Sequence, residues 1–98
     1  MIISHHGYTL KVEFLKYQNG QSCIRLYDTA DGFPYATATV ATEKKLLKED
    51  EVAIKNYSEN EGILETLIEN SIVERPRSFI QSGFVKIPIC KKGPAFQE

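Results

Sequence analysis

Two glycine-containing turns constrain this fold more than any other feature of the sequence. Residues Tyr8 to Tyr17 alternate between apolar and polar side chains, which is the period-two pattern of a half-buried strand. The dipeptides Asn19-Gly20 and Asp31-Gly32 favour tight hairpin turns because they accept positive φ angles. The strand pattern resumes over Ser22 to Thr29 and over Tyr35 to Val40. The sequence therefore predicts a three-stranded antiparallel meander.

The middle of the chain predicts a short strand followed by one helix. Residues Thr42 to Glu51 are polar and form a connection, and Val52 to Tyr57 offer a short strand. The sequence Ser58-Glu59-Asn60-Glu61 is a capping box, so we expect a helix that begins at Glu59 and ends near Asn70. Its apolar stripe would consist of Ile63, Leu64, Leu67, Ile68 and Ile72.

The C-terminal third completes the predicted fold. Phe79-Ile80 and Phe84 to Cys90 supply one or two closing strands, and Pro88, which has no amide donor, places the last strand at a sheet edge. We expect an α+β fold, in which an antiparallel β-sheet (the three-stranded meander plus one to three further short strands) carries one amphipathic helix packed on one face. Because 98 residues is the size of one domain, residues 1–98 are predicted to form a single domain.

Cysteine usage and hydropathy indicate where the protein works. Cys23 and Cys90 are far apart and lie in apolar, strand-like segments, where a free thiol usually packs as a small hydrophobic group. Residues Met1 to Gly7 lack the basic region and the apolar run of a signal peptide, and no later segment approaches about 20 apolar residues. We therefore expect a cytoplasmic protein that does not enter a membrane.

Residue types that can carry chemistry occur here without the spacing that chemistry needs. His5 and His6 are adjacent and the two cysteines form no Cys-x-x-Cys pair, so no metal site is predicted. Asp28 and Asp31 do not match a calcium loop and are expected to shape a turn. The histidines lie near a terminus that we expect to fray, and no activated nucleophile or phosphate-binding loop is recognisable. We expect no catalytic residue, no enzymatic activity and no cofactor.

Charge is distributed unevenly along a chain whose net charge is only −1. Residues Leu46 to Glu74 contain eight acidic and two basic side chains, whereas the remaining residues contain five acidic and ten basic ones. Such an asymmetry indicates an interaction surface more than it indicates a fold. The residues of the predicted acidic, partner-binding surface are Glu49, Asp50, Glu51, Glu59, Glu61, Glu65 and Glu69.

Three of these residues recur every fourth position along the predicted helix. Glu61 suits the positive helix start, but Glu65 and Glu69 nearer the other end are disfavoured by the helix dipole and by like charge, each by about 0.3–0.5 kcal/mol. No Lys or Arg lies between Asn56 and Glu74 to pair with them. They form either an ordinary solvated face, paired in the fold with cations from the rest of the chain, or an acidic surface that meets a basic groove on a partner protein.

A second candidate surface lies on the side of the predicted meander opposite its apolar face. Lys11, Tyr17, Arg25 and Tyr27 would point there together, and aromatic side chains mixed with basic ones can stack on exposed nucleic-acid bases. The same residues are also ordinary on the exposed side of a strand, and no aromatic motif of the known RNA-binding sheets is present. Nucleic-acid binding is therefore the alternative to protein binding.

Three segments resemble a family of small proteins encoded on plasmids, conjugative elements and bacteriophages. They are Arg25 to Val40, Glu51 to Gly62 and Ser82 to Val85, and the span from the first of them to the last takes in most of the chain. The family has no established activity, and it supplies a genomic setting rather than a set of site residues. Small proteins in that setting are often non-enzymatic inhibitors of host defence, such as anti-restriction or anti-CRISPR proteins. The resemblance thus implies an inhibitor whose acidic surface competes with nucleic acid for a basic channel.

Overall fold

A computed structural model describes all residues from Met1 to Glu98. Seven strands form two antiparallel sheets, and the only α-helix, α1, spans Ile63–Glu69. The first sheet has the order β1-β2-β3-β4, and the second has the order β5-β7-β6. The strands are β1 (Ile2–His5), β2 (Tyr8–Lys16), β3 (Ser22–Asp28), β4 (Pro34–Thr37), β5 (Glu51–Ala53), β6 (Ser78–Ser82) and β7 (Val85–Lys91). Short 3₁₀ turns occupy Lys44–Leu46 and Ser58–Asn60.

The α+β fold predicted from the sequence is confirmed, and the predicted meander is the β2-β3-β4 part of the first sheet. Strand β1 lies outside the predicted segments and pairs with β2 through a two-residue turn at His6 and Gly7. Both turn residues have positive φ, 49° and 82°, which a tight hairpin of this length requires. The remaining strands form a separate sheet instead of extending the first one.

In each of the two predicted turns the glycine takes the positive φ angle and the residue before it makes a side-chain hydrogen bond. Gly20 and Gly32 take the positive φ angles, 88° and 76°, whereas Asn19 and Asp31 do not. The Asn19 side chain instead accepts a hydrogen bond from the Gln21 amide (3.0 Å), and Asp31 accepts one from the Phe33 amide (2.8 Å). These Asx contacts mimic a backbone turn, so the dipeptides predict the turns correctly.

The predicted start of the helix is wrong. Residues Ser58–Asn60 form a 3₁₀ turn, and Gly62, with φ of 91°, separates it from α1. The Ser58 side chain makes no capping bond, and the Glu61 amide donates to the Ser58 carbonyl instead. The first turn of α1 is capped by Asn56, whose Oδ1 accepts from the Leu64 amide at 3.0 Å. The predicted end is correct, since α1 is followed by Asn70.

The edge position predicted for Pro88 is also wrong, because β7 is the central strand of the second sheet. The Pro88 carbonyl accepts from the Ile54 amide, so the side of Pro88 that lacks a donor faces Ile54. Ile54 lies just beyond the end of β5, where the ladder has finished. A central strand tolerates proline here because no strand residue of β5 needs its missing amide.

The main core lies among the two sheets and the helix. The segment after β4 pairs with the segment after β5 at Thr39 and Ile54. In this pairing the Val40 amide donates to the Ala53 carbonyl, and the Lys55 amide donates to the Ala38 carbonyl. A second, smaller cluster on the other face of the second sheet contains Ala53, Ile87 and Ile89. The buried residues of the main core are Ile3, Leu10, Val12, Ile24, Leu26, Ala38, Val52, Ile54, Ile63, Leu64, Leu67, Ile72, Val73 and Cys90. None of the helices is both long and apolar enough to cross a membrane.

Candidate functional site

The acidic residues around the helix are all exposed, but they differ in how they are paired. Glu59 bonds to Lys55 at 2.5 Å, and this partner lowers the pKa of Glu59. Glu65 lies 3.6 Å from Arg75, a residue that follows the helix. Glu61 and Glu69 make no ion pair. Two of the four carboxylates are therefore available without breaking a contact within the fold.

The shorter helix changes the electrostatic position of these carboxylates. Glu61 precedes Gly62 and is outside α1, and its backbone carbonyl accepts from His6 Nε2 at 3.3 Å. Glu65 lies in the first turn of α1, where the helix dipole favours a negative charge. The prediction that the dipole disfavours Glu65 is therefore wrong. Glu69 is the last helical residue, where the dipole disfavours its charge as expected. We call Glu61, Glu65 and Glu69 the acidic helix surface.

Glu49, Asp50 and Glu51 belong to a region of mixed charge. Glu51 accepts a hydrogen bond from the Lys48 amide at 2.9 Å. A surface cleft of about 400 Å³ contains Glu49 and Glu51. The basic side chains that line the same cleft are Lys16, Lys44, Lys48 and Lys92. These carboxylates thus lie among cations from distant segments, unlike Glu61 and Glu69.

The alternative sheet surface is formed in part. Lys11 and Tyr27 are directly opposite each other across β2 and β3, and both line a cleft of about 510 Å³. Arg25 is exposed on the same face, and the neighbouring Tyr27 hydroxyl raises the pKa of Arg25. Glu13 lies opposite Arg25 and beside Lys11, so it places a negative charge at the centre of this surface.

Tyr17 has a structural position that the sequence did not indicate. It follows the last residue of β2, and its hydroxyl bonds to the carbonyl oxygen and the Oγ1 of Thr39 at 3.1 and 3.0 Å. Burial raises the pKa of Tyr17 to about 12. Its ring is half-buried and held by the segment after β4, which reduces the ring area that a nucleic-acid base could stack on.

The histidines and cysteines are embedded in the fold. His5 is buried in a paired strand, with Nδ1 2.6 Å from Thr66 Oγ1 and its ring 3.9 Å from the His6 ring, so the expected frayed terminus is wrong. Burial, with His6 adding to it, lowers the pKa of His5. Cys23 and Cys90 are buried free thiols, and burial raises the pKa of Cys90 to about 12. No group of three or more His, Cys, Asp or Glu side chains is arranged to hold a metal ion.

No family model, curated protein or solved structure matches this chain. The candidate site is therefore defined by its own geometry. The acidic helix surface presents three exposed carboxylates on one element and its N-terminal connection, and it can bind cationic groups by charge-assisted hydrogen bonds. None of these carboxylates is buried beside a nucleophile or a general base.

Proposed function

We propose that this protein is a non-enzymatic binding protein whose acidic helix surface contacts a basic surface of a partner protein. The observation that supports the proposal is the unpaired state of the exposed Glu61 and Glu69, the second of which lies one helical turn from the loosely paired Glu65. The position of Glu69 at the end of α1 opposes the helix dipole, so helix stability does not account for this residue.

Arg75 is the one residue of the chain that forms an ion pair with the acidic helix surface. Its guanidinium is 3.6 Å from Glu65, and both side chains are largely exposed, so the pair is weak and a cation from a partner can replace it. The acidic helix surface therefore carries more negative charge than its own fold compensates. A basic groove that normally holds phosphate groups has the complementary chemistry.

The specific form of the proposal is an inhibitor encoded on a mobile element, working in the host cytoplasm against a nucleic-acid-binding defence protein of the restriction or CRISPR type. The resemblance of three segments to mobile-element proteins supplies this setting, and the acidic helix surface supplies the mechanism. Carboxylates placed in such a channel would compete with phosphate for the same lysine and arginine side chains.

The first experiment compares partner capture by the native chain and by a Glu61→Lys, Glu65→Lys, Glu69→Lys variant. A control variant with Glu43→Lys, Glu49→Lys and Asp50→Lys changes three exposed acids elsewhere and reaches the same net charge of +5 from −1. Circular dichroism and urea unfolding establish that all three proteins fold. A basic partner retained by the native chain and the control, and lost only by the helix variant, supports the proposal.

Equal loss of the partner from both variants would mean that binding follows net charge or also uses the predicted surface residues Glu49 and Asp50, and equal retention would mean that the acidic helix surface is not the contact. Either result contradicts binding through the acidic helix surface alone. The inhibitor form is tested separately by adding the native chain to the captured partner and measuring its binding to nucleic acid. Undiminished nucleic-acid binding by a saturated partner contradicts inhibition by competition.

Nucleic-acid binding through Lys11, Arg25 and Tyr27 is the second candidate. The observation in its favour is the direct pairing of Lys11 with Tyr27 beside an open cleft, and Glu13 opposes it. Fluorescence anisotropy with single-stranded oligonucleotides, repeated over a range of salt concentrations, measures it. Binding that weakens steeply with salt and is lost on Arg25→Glu, but not on Glu69→Lys, would favour the sheet surface.

A further inference from the structure

The edge strands of the two sheets are protected to very different degrees. Strand β4 begins with Pro34, and its extension is paired with that of β5 through Thr39 and Ile54. Strand β1 is four residues long and lies beside α1, to which His5 is hydrogen-bonded. Strand β6 has only β7 as a neighbour and leaves its other edge open. Natural proteins usually block such an edge with proline, lysine, a bulge or a covering element.

The direction of the backbone groups on β6 follows from Pro88. Its carbonyl accepts from Ile54 on the β5 side, so the pair between Pro88 and Phe79 carries no ladder hydrogen bond on the β6 side. The backbone groups of Ser78, Ile80 and Ser82 therefore face β7. Those of Phe79 and Gln81 face outward, and no hydrogen bond outside the ladder satisfies them.

The side chains of β6 also favour association. Its five residues, Ser78–Ser82, include no charge, proline or glycine. Phe79 is 56% exposed, and Phe84 at the tip of the β6-β7 hairpin is fully exposed. Gly83, with φ of 58°, forms the two-residue turn that holds Phe84 out from the sheet. An uncharged edge strand with an exposed aromatic residue is a template for pairing with another strand.

We propose that β6 pairs with β6 of a second copy of this chain, in antiparallel register about a two-fold axis at Ile80. In this register Phe79 lies opposite Gln81 of the second copy, and Gln81 lies opposite its Phe79. These are the residues whose backbone groups face outward, so all four amides and all four carbonyls are satisfied in four hydrogen bonds. The product is a continuous six-stranded sheet with closed two-fold symmetry.

A second copy fits this edge better than a charged peptide does. The Ile80 side chain contacts its own equivalent at the axis, and no charged residue of β6 meets a like charge across the pair. The adjacent Arg77 lies outside β6, and its amide donates to the Ile89 carbonyl of β7 at 3.3 Å, so it is not part of the proposed pairing. The proposal is independent of the acidic helix surface, because it uses none of its residues.

The experiment measures the solution mass of the native chain by sedimentation equilibrium over about a thousand-fold range of concentration. We expect the mass to rise from 11.1 kDa to twice that value. Two matched double variants test the register. Phe79→Glu with Gln81→Glu places two glutamates opposite each other at both pairs, whereas Phe79→Lys with Gln81→Glu places a lysine opposite a glutamate.

Both variants put the same Glu at position 81, opposite Lys86 in the hairpin, so their effects within one chain are matched there. We expect the first variant to raise the dimer dissociation constant by about tenfold or more relative to the second, because like charges directly opposite are unfavourable. Equal dissociation constants for the two variants would contradict the register. A native chain that is monomeric at every concentration overturns the proposal and leaves the edge to an extended segment of another protein.

Hydrogen exchange on the native chain gives a second readout that does not depend on a variant folding. The amides of Phe79 and Gln81 face solvent in the monomer and should exchange more slowly as concentration rises. The amide of Ile80 is bonded to β7 in both states and should change little. Dimer formation without slower exchange at Phe79 and Gln81 would place the contact elsewhere and contradict the proposal.

Discussion

The two sheets differ in the chain distance between the strands that they pair. In the first sheet every strand pairs with the next strand in sequence, through turns at His6-Gly7, Asn19-Gly20 and Asp31-Gly32. In the second sheet β7 pairs with β5, from which it is separated by α1 and by β6. Local turn chemistry suffices to pair the strands of the first sheet, whereas in the second sheet it accounts only for the β6-β7 hairpin, and the β5-β7 pair depends on contacts between distant segments.

The largest expected difference between the two regions comes from matched truncations of buried isoleucines. Ile24→Ala removes a fully buried side chain from the main core and should lower the free energy of unfolding by about 4 kcal/mol. Ile87→Ala acts on the second cluster, which has only three buried members and an open rim, and should cost about 2 kcal/mol. Urea unfolding of both variants measures the difference. Equal losses would show that the second sheet is packed as tightly on its outer face as on its core face.

Two glycines test how each region tolerates a change in the backbone. A Cβ at Gly93 would lie 2.3 Å from the Ser71 carbonyl oxygen, where the segment after β7 meets the end of α1. Because this neighbour is backbone, Gly93→Ala should cost about 2–3 kcal/mol. Gly20→Ala meets no atom within 4 Å and suffers only from its φ of 88°, so about 1 kcal/mol is expected. Thermal unfolding of the two variants ranks them, and a larger loss at Gly20 would contradict the tight contact at Gly93.

The difference between the regions also explains what the sequence could predict. The alternating segments and the Asx-Gly turns act within a few residues, and the predicted meander is confirmed. The edge position predicted from Pro88 was wrong because the side of Pro88 that lacks an amide donor faces Ile54. No local sequence pattern identifies Ile54 as that neighbour. The helix start predicted from the capping box was wrong because Gly62 takes a left-handed conformation and α1 begins after it. Asn56 then caps the first turn of α1 in place of Ser58. In both cases a tertiary contact outweighed a valid local preference.

The candidate site shows the same limit. Sequence patterns locate the carboxylates, but they do not indicate which of them find a cation in the fold. Arg75 approaches Glu65 from beyond the helix, and Lys92, from the C-terminal segment, lines the same cleft as Glu49. Lys11 and Tyr27 were correctly placed on one face because strand alternation and the turn at Gly20 fix their register. Tyr17 follows the strand, and its bond to Thr39 had no signal in the sequence.

The helix cap gives a smaller effect that separates the predicted contact from the observed one. Asn56→Ala removes the acceptor for the Leu64 amide and should lower the free energy of unfolding by about 1 kcal/mol. Ser58→Ala removes a side chain that makes no capping bond and should change it by less than about 0.5 kcal/mol. Urea unfolding of the two variants measures both values. A larger loss of unfolding free energy for Ser58→Ala than for Asn56→Ala would mean that Ser58, as the capping box predicts, caps the helix.

The smallest effect appears only at acidic pH and concerns the contact of the first sheet with the helix. Burial, and then His6, lowers the pKa of His5 below its ordinary value of 6.5. The unfolded chain therefore binds a proton at this residue more readily than the folded chain does. Stability is unaffected above about pH 7 and should decline as the pH falls below 6.5, until the pH passes the folded pKa.

His5→Gln isolates this contribution, because glutamine keeps a hydrogen-bonding group near Thr66 without titrating. Unfolding free energies of the native chain and the variant, measured between pH 8 and pH 5, should converge as the pH falls, since only the native chain loses the His5 contribution. The carboxylates are common to both proteins, so their titration cancels in the difference. A difference that stays constant with pH would mean that His5 takes up its proton as readily in the fold as in the unfolded chain, and that the β1 contact with α1 is open to water.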